Sequence, residues 1–298
     1  VPTQGTPILN STFGTNSITE NLTVYNISTF DINSDNVTNI INWYKDGTSI
    51  TVLNMPFEAD NASNASDYSG YGNNGTVTDA IWNATGGYDG FGAYSFPGTS
   101  SSLYVPDNAD GSLDPSTNIT VMSWVKLNDA AANQPDYATI ANKENFASNG
   151  WLLAFRTDQG SNAIYFRFAG SGTCFAQWDA QGTYFDDLAW HFVVGSYNGS
   201  AAKIYVDGVL RSTDSSCSSV TNSGNANSIN FGVTLNGSID GFKLFNETLS
   251  TAQMSAIYQN RTDLIVSQET SVGDNWSACV TPNDGTEDGA EVCSDLTI

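Results

Sequence analysis

Gly237-Ser-Ile-Asp-Gly-Phe-Lys-Leu-Phe-Asn-Glu-Thr-Leu-Ser250, running on into Thr251-Ala-Gln-Met-Ser-Ala-Ile-Tyr258, is the stretch that decides how this chain is read. Its first half places Ile239, Phe242 and Leu244 among polar neighbours, the pattern of a strand with one buried face. Its second half predicts a short helix. Ser250 stands where an N-cap belongs, and Gln253, three residues on, fits a capping box. Leu249, Met254, Ile257 and Tyr258 supply the helix with a single apolar face.

Upstream of this stretch the chain reads as a series of short strands. A first segment, Val52-Leu-Asn-Met-Pro-Phe-Glu58, precedes an Asn/Asp/Ser/Gly run from Asp60 to Gly75 that is expected to be a polar loop. Ala93-Tyr-Ser-Phe-Pro-Gly98, Ser102-Leu-Tyr-Val-Pro106 and Ile119-Thr-Val-Met-Ser-Trp-Val-Lys126 follow, the last alternating like a half-buried strand. Next come Trp151 to Phe155, Ala163 to Ala169 and Ala189-Trp-His-Phe-Val-Val-Gly195. Lys203-Ile-Tyr-Val-Asp-Gly-Val-Leu-Arg211 predicts a hairpin turning at Asp207-Gly208.

Taken together, Asp67-Tyr-Ser-Gly-Tyr-Gly-Asn-Asn-Gly-Thr-Val77, the W-H-F-V and I-Y-V-D-G strands and the closing I-D-G-F-K-L-F-N resemble a laminin G-like domain of the concanavalin A jellyroll type. The resemblance covers roughly residues 50 to 262. It implies an all-β sandwich that binds glycans or proteins, usually without catalysis. It also implies a Ca²⁺ between the start of the domain and its closing strand, with Asp240 the best-matched ligand and Glu58 and Asp60 as partners.

The flanks carry strands of their own. Glu20-Asn-Leu-Thr-Val-Tyr-Asn26 and Val37-Thr-Asn-Ile-Ile-Asn-Trp-Tyr-Lys-Asp-Gly47 lie before the jellyroll; Leu264-Ile-Val-Ser-Gln268, Asp274-Asn-Trp-Ser-Ala-Cys-Val-Thr-Pro282 and Glu291-Val-Cys-Ser-Asp-Leu-Thr-Ile298 lie after it. Neither flank has enough strands to fold alone. Joined, they resemble one immunoglobulin-like sandwich with Trp43 at its core, carrying the jellyroll as a guest in a surface loop. The expected division is 1–50, 51–262 and 263–298. Four cysteines allow three pairings. Cys279 and Cys293 flank a strand–turn–strand pattern that brings them together, which leaves Cys174 for Cys217. Two such disulfides fit an oxidising compartment.

Composition narrows the function. There are 31 acidic and nine basic side chains, a net charge of −22, which excludes nucleic acid and anionic membranes as partners. No apolar run of about 20 residues offers a membrane span. Val1-Pro-Thr-Gln is unlike a leader, and the numbering is expected to start after one was removed. Fourteen Asn-x-Ser/Thr sequons, at Asn10, Asn21, Asn26, Asn36, Asn61, Asn64, Asn74, Asn83, Asn118, Asn198, Asn236, Asn246, Asn260 and Asn275, predict a glycan coat on an extracellular protein. A prokaryotic cell surface, archaeal or bacterial with N-glycosylation, suits that density.

No carboxylate array of the glycosidase kind and no Gly-x-Ser-x-Gly elbow occurs, and His191 reads as a structural histidine, so no catalysis is expected. Trp82, Tyr88, Trp178 and Tyr184 lie in Gly/Asp/Asn-rich surroundings and are the candidates for stacking on a glycan; Trp43, Trp124, Trp151 and Trp190 read as core. Strand-like termini add the expectation of head-to-tail assembly with copies of itself into a surface filament, the segment from Val1 to Asn16 entering a neighbour's sheet. The alternative is a monomeric lectin-like or adhesive module.

Overall fold

The computed structural model of the chain describes residues 1–99, 102–144, 148–158, 162–179, 184–217 and 219–298. Two eight-stranded antiparallel sheets face each other across the main core. One runs in the order Thr173–Asp179, Ala163–Ala169, Gly150–Arg156, Ala138–Glu144, Ile229–Phe231, Ser102–Val105, Gly75–Thr78 and Asn64–Ala65. The other runs Val209–Asp214, Ala202–Val206, Trp190–Asn198, Asn118–Leu127, Asn236–Phe245, Ala93–Pro97 and Ile81–Asn83, with Leu53–Met55 also paired to Asn236–Phe245. Trp151, Tyr197, Phe166 and Phe231 fill the space between them. This is the jellyroll the closing motif implies.

That closing strand departs from simple alternation in a useful way. Ile239 and Phe242 are three apart, which in a regular strand would put them on opposite faces. Both are fully buried in the same core, because a bulge at Asp240-Gly241 inserts an extra residue opposite Ser123, with Gly241 at φ +58°. On the strand's other side the partner changes at the same place. Residues 236–239 pair with Ala93–Pro97 and residues 242–244 with Leu53–Met55. Asp240 therefore stands at a gap between two strand ends.

The helix Thr251–Tyr258 starts as expected, with the Ser250 hydroxyl accepting from the Gln253 amide N–H at 3.1 Å. Gln253 does not return to Ser250. Its side chain bonds Leu264 O and Val266 N–H at 2.9 and 2.8 Å and sews the helix to the C-terminal flank. The run from Asp60 to Gly75 is not the loose loop its polarity predicts. Asp67 accepts N–H groups from Asn54, Ser69 and Asn73, so the segment folds around one carboxylate with Ser69 and Asn73 buried.

Strands from both ends of the chain enclose a second, smaller core. Ile8–Ser11, Leu22–Tyr25 and Leu264–Ile265 form one sheet; Val292–Thr297, Asn275–Asn283, Thr38–Lys45 and Thr48–Ser49 form the other. Between them lie Leu9, Leu22, Val24, Ile41 and Ile265, with Trp43 edge-on to Trp276 at 6.2 Å. Cys279 faces Cys293 directly across its hairpin and is bonded to it, and Cys174 is bonded to Cys217. The N-terminal segment finds its place within its own chain: Ile8–Ser11 pairs with Leu22–Tyr25, and Gln4 donates to Val280 O at 2.5 Å. Among the described residues no helix is long and apolar enough to cross a membrane.

Candidate functional site

Two residues past the strand Leu53–Met55 comes Phe57, a non-glycine residue held at φ +71°, and that left-handed turn aims Glu58 into the gap beside Asp240. Both carboxyls are buried. The segment between Ile81–Asn83 and Ala93–Pro97 closes over them. Tyr88 N–H donates to Asp240 Oδ2 at 2.8 Å and Gly92 N–H to Glu58 Oε2 at 2.9 Å. Gly87 must be glycine here, because a Cβ would lie 2.7 Å from Gly92 O and 2.9 Å from Asp240 Oδ2. Asp89, on the same segment, completes a group of three acids.

Burial, then the neighbouring Asp89 and Asp240 charges, push the Glu58 carboxyl up to about 10. Burial and Asp89 likewise hold Asp240 well above the usual carboxylate range. Lys243, opposite them, is lowered to about 8 by its burial; it donates to Asn54 Oδ1. All-oxygen and short of positive charge, with Glu58 and Asp240 buried and Asp89 exposed, this donor set fits a hard divalent cation such as Ca²⁺, with these three side chains as the ones that would hold it. Asp60 does not join them. Its Oδ1 accepts from Ser66 N–H at 2.8 Å, and its neighbouring charge is Asp288. Burial raises Asp60 to about 7. Tighter clusters of ligand atoms among the described residues lie elsewhere, at Asp31–Asp35–Asp284 and beside the two disulfides.

A cleft of about 90 Å³ opens above the acids, between the jellyroll and the smaller sandwich. Tyr88 is 42% exposed at its mouth and stacks on Trp124, ring centroids 3.4 Å apart and 10° from parallel. Trp124, read from the sequence as core, is the floor under Tyr88 and continues the stack to Tyr258 at 5.7 Å. Asn39, Asn260 and Thr262 bring polar groups from the opposite wall. Trp82 is half-buried, its Nε1–H donated to Phe57 O at 2.8 Å. It braces the turn that carries Glu58.

The other two aromatic candidates are some strands away. Trp178 and Tyr184 pack edge-on at 5.1 Å against the main core, with the Arg211 guanidinium 4.7 and 5.1 Å from their ring centres. Tyr184 donates to Asp207 Oδ2 at 2.8 Å. His191 is held between Asp207 at 2.8 Å and Asp187 at 3.0 Å, as a structural histidine would be. Although burial opposes it, the hydrogen bonds it donates to these two carboxylates leave its imidazole raised above the ordinary value.

Of the named residues, the structure brings together Glu58, Asp240, Tyr88 and Trp82. It sets Asp60, Trp178 and Tyr184 apart. Sequence reasoning missed Asp89 and Trp124; the Tyr88-Asp89-Gly90 turn beside Gly86-Gly87 was the available signal for the first. Twelve of the fourteen sequon asparagines are exposed, and Asn21 and Asn236 are half-buried.

A family model described as the concanavalin A-like lectin/glucanases superfamily matches residues 97–255, more than half of the chain, and the chain belongs to that family. Its fold is also that of several solved structures. The botulinum neurotoxin serotype D binding domain is 20% identical with a TM-score of 0.55, over 71% of this chain and 51% of that one. The serotype D ligand binding domain in complex with N-acetylneuraminic acid is 19% identical (TM-score 0.55, 71% and 51%). The binding domain of paraclostridial mosquitocidal protein 1 is 16% identical (TM-score 0.52, 70% and 52%). The chain spans about half the length of these structures. No curated protein matches the sequence.

Proposed function

We propose that this chain is an extracellular, non-catalytic binding module that takes a glycan in the Tyr88 cleft, with Ca²⁺ held by Glu58, Asp89 and Asp240. The observation that carries the reading is the exposed Tyr88 ring, stacked on Trp124 over two buried acids, Glu58 and Asp240, with the exposed Asp89 beside them. An aromatic plate suits the apolar face of a pyranose, and the polar groups of Asn39 and Thr262 suit its hydroxyls. Solved neighbours of the same fold are named as binding domains, one of them in complex with a sialic acid, which supports the class. The disulfides support an extracellular setting. In this reading residues 1–50 and 263–298 form one unit that carries 51–262 and walls one side of the cleft, and the exposed sequons carry N-glycans.

Filament assembly through the first strand has less support, since Ile8–Ser11 already pairs within its own chain. A glycan array read in Ca²⁺ and in EDTA tests the proposal, followed by titration of any hit against Tyr88→Ala. Binding that Tyr88→Ala weakens at least about tenfold, a loss of about 1.4 kcal/mol, is the expected result. Binding that Tyr88→Ala leaves intact removes the cleft from the account.

A further inference from the structure

The apolar surface of this protein is unevenly placed. Among the described residues, seven of the fifteen exposed large hydrophobic side chains fall between Ile8 and Ile32. The first 30 residues hold a single charged side chain, Glu20, and it is buried. In a chain of net charge −22, the segment that gives the smaller sandwich its first two strands is therefore itself apolar and nearly charge-free, with the Arg261–Asp263 ion pair as a charged neighbour of Tyr25. Ile8 and Tyr25 lie opposite each other on the outer face of their sheet, 52% and 53% exposed. Such a patch usually has an occupant.

The same face carries an attachment point. Ile8–Ser11 alternates outward and inward, so Asn10 points out on the side of Ile8. Its register partner is Thr23, which puts Tyr25 on the diagonal, about 7–8 Å away backbone to backbone. A first sugar on the Asn10 amide can lay its ring on Tyr25. Asn26 begins a second sequon immediately after Tyr25. Neither the Asn10 nor the Asn26 amide makes a hydrogen bond among the described residues, and both are exposed.

The whole molecule sorts its asparagines the same way. Twelve of fourteen sequon asparagines are exposed, against four of the seventeen other described ones. All five fully buried asparagines (Asn42, Asn54, Asn73, Asn222 and Asn283) lie outside sequons. A compositional accident would not separate the two groups.

We infer that the glycan on Asn10, flanked by that on Asn26, is the cover of the apolar Ile8–Tyr25 face. This rests on the reading that the sequons are occupied, and the two are tested separately. The full chain is secreted from cells that add N-glycans. Enzymatic release, which converts each occupied Asn to Asp, is mapped by peptide mass. Occupancy of Asn10 and Asn26 is expected; a chain bare at every sequon overturns both readings, and a chain bare only at Asn10 and Asn26 overturns the cover alone.

The second arm compares Asn10→Gln and Asn26→Gln with Asn118→Gln, a sequon on the jellyroll. Apolar-dye fluorescence and light scattering are read on samples whose melting temperatures match. The two face variants are expected to bind several-fold more dye and to self-associate, and adding Ile8→Thr and Tyr25→Thr is expected to reverse both effects. Face variants that behave like Asn118→Gln overturn the cover while leaving glycosylation standing.

Discussion

The jellyroll carries two aromatic groups that looked alike in the sequence, and their surroundings separate them. Around Trp178 and Tyr184 the charges are matched: Asp187 and Asp207 hold His191, Asp207 also takes the Tyr184 hydroxyl, and Arg211 lies against both rings. Around Tyr88 they are not. Glu58, Asp89 and Asp240 crowd one gap with Lys243 opposite, and the ring above them faces solvent. A matched cluster stabilises the fold by itself. An unmatched one is stable only with something added, whether a proton or a cation, and that is the mark of a place for a ligand.

Stability measurements can break or sharpen this contrast. Phe185, fully buried against Trp178, Tyr184 and His191, anchors the matched cluster. Phe185→Ala is expected to cost about 3–5 kcal/mol in denaturant unfolding while leaving glycan affinity unchanged. The unmatched cluster should show itself in pH. An unfolded Glu58 ionises near 4.5 and the folded one near 10, so between these values the folded chain holds the extra proton. Stability therefore falls as pH rises through that window, by at most about 1.4 kcal/mol per pH unit, or about 3–5 °C in Tm. Melting in EDTA between pH 5.5 and 7.5 reads the slope.

Ca²⁺ and Glu58→Gln should each flatten that slope by different routes, one satisfying the acids and the other removing a charge. A Glu58→Gln slope equal to the parent's would place the proton elsewhere. His191 contributes in the same direction, since a raised imidazole gives stability that is lost as pH climbs through its folded value. Asp207→Asn should cost about 1–2 kcal/mol below that value and less above it. Smallest of all, Tyr88→Ala should lower stability by less than about 1 kcal/mol, because its ring is half in water. If Tyr88→Ala destabilised as much as Phe185→Ala, the two clusters would be alike after all.

How far the sequence foretold this depends on the range of the contacts. The jellyroll was legible because its strands carry period-two patterns and a closing motif that are local. The smaller sandwich was legible from the inability of either flank to fold alone. Asp240 and Glu58 could be named because the resemblance sets a cation between the start of the domain and its closing strand, and each stands at one of those places in the sequence. Asp89 could not, since only the turn closing over Gly87 carries it to them. Asp60 was misgrouped for the same reason: two residues from Glu58 in the chain, it follows the φ +71° turn at Phe57 and faces Ser66 instead. Trp124 reads as core by any alternation rule, and its role as a floor appears only when Tyr88 lies on it. The polarity of the run from Asp60 to Gly75 concealed the fact that Asp67 organises it from within.

Thr38–Lys45 lies antiparallel and hydrogen-bonded to Asn275–Asn283, although more than 200 residues separate them along the chain. A mechanical load applied at the two ends would pass directly between these neighbouring strands. The Cys279–Cys293 bond would keep the last hairpin closed while it did so. The large sandwich, hung from the loop between them, would bear none of that tension until the small one sheared, so the Tyr88 side of the cleft would stay at rest while residues 38–41, its other wall, sat on the loaded strand.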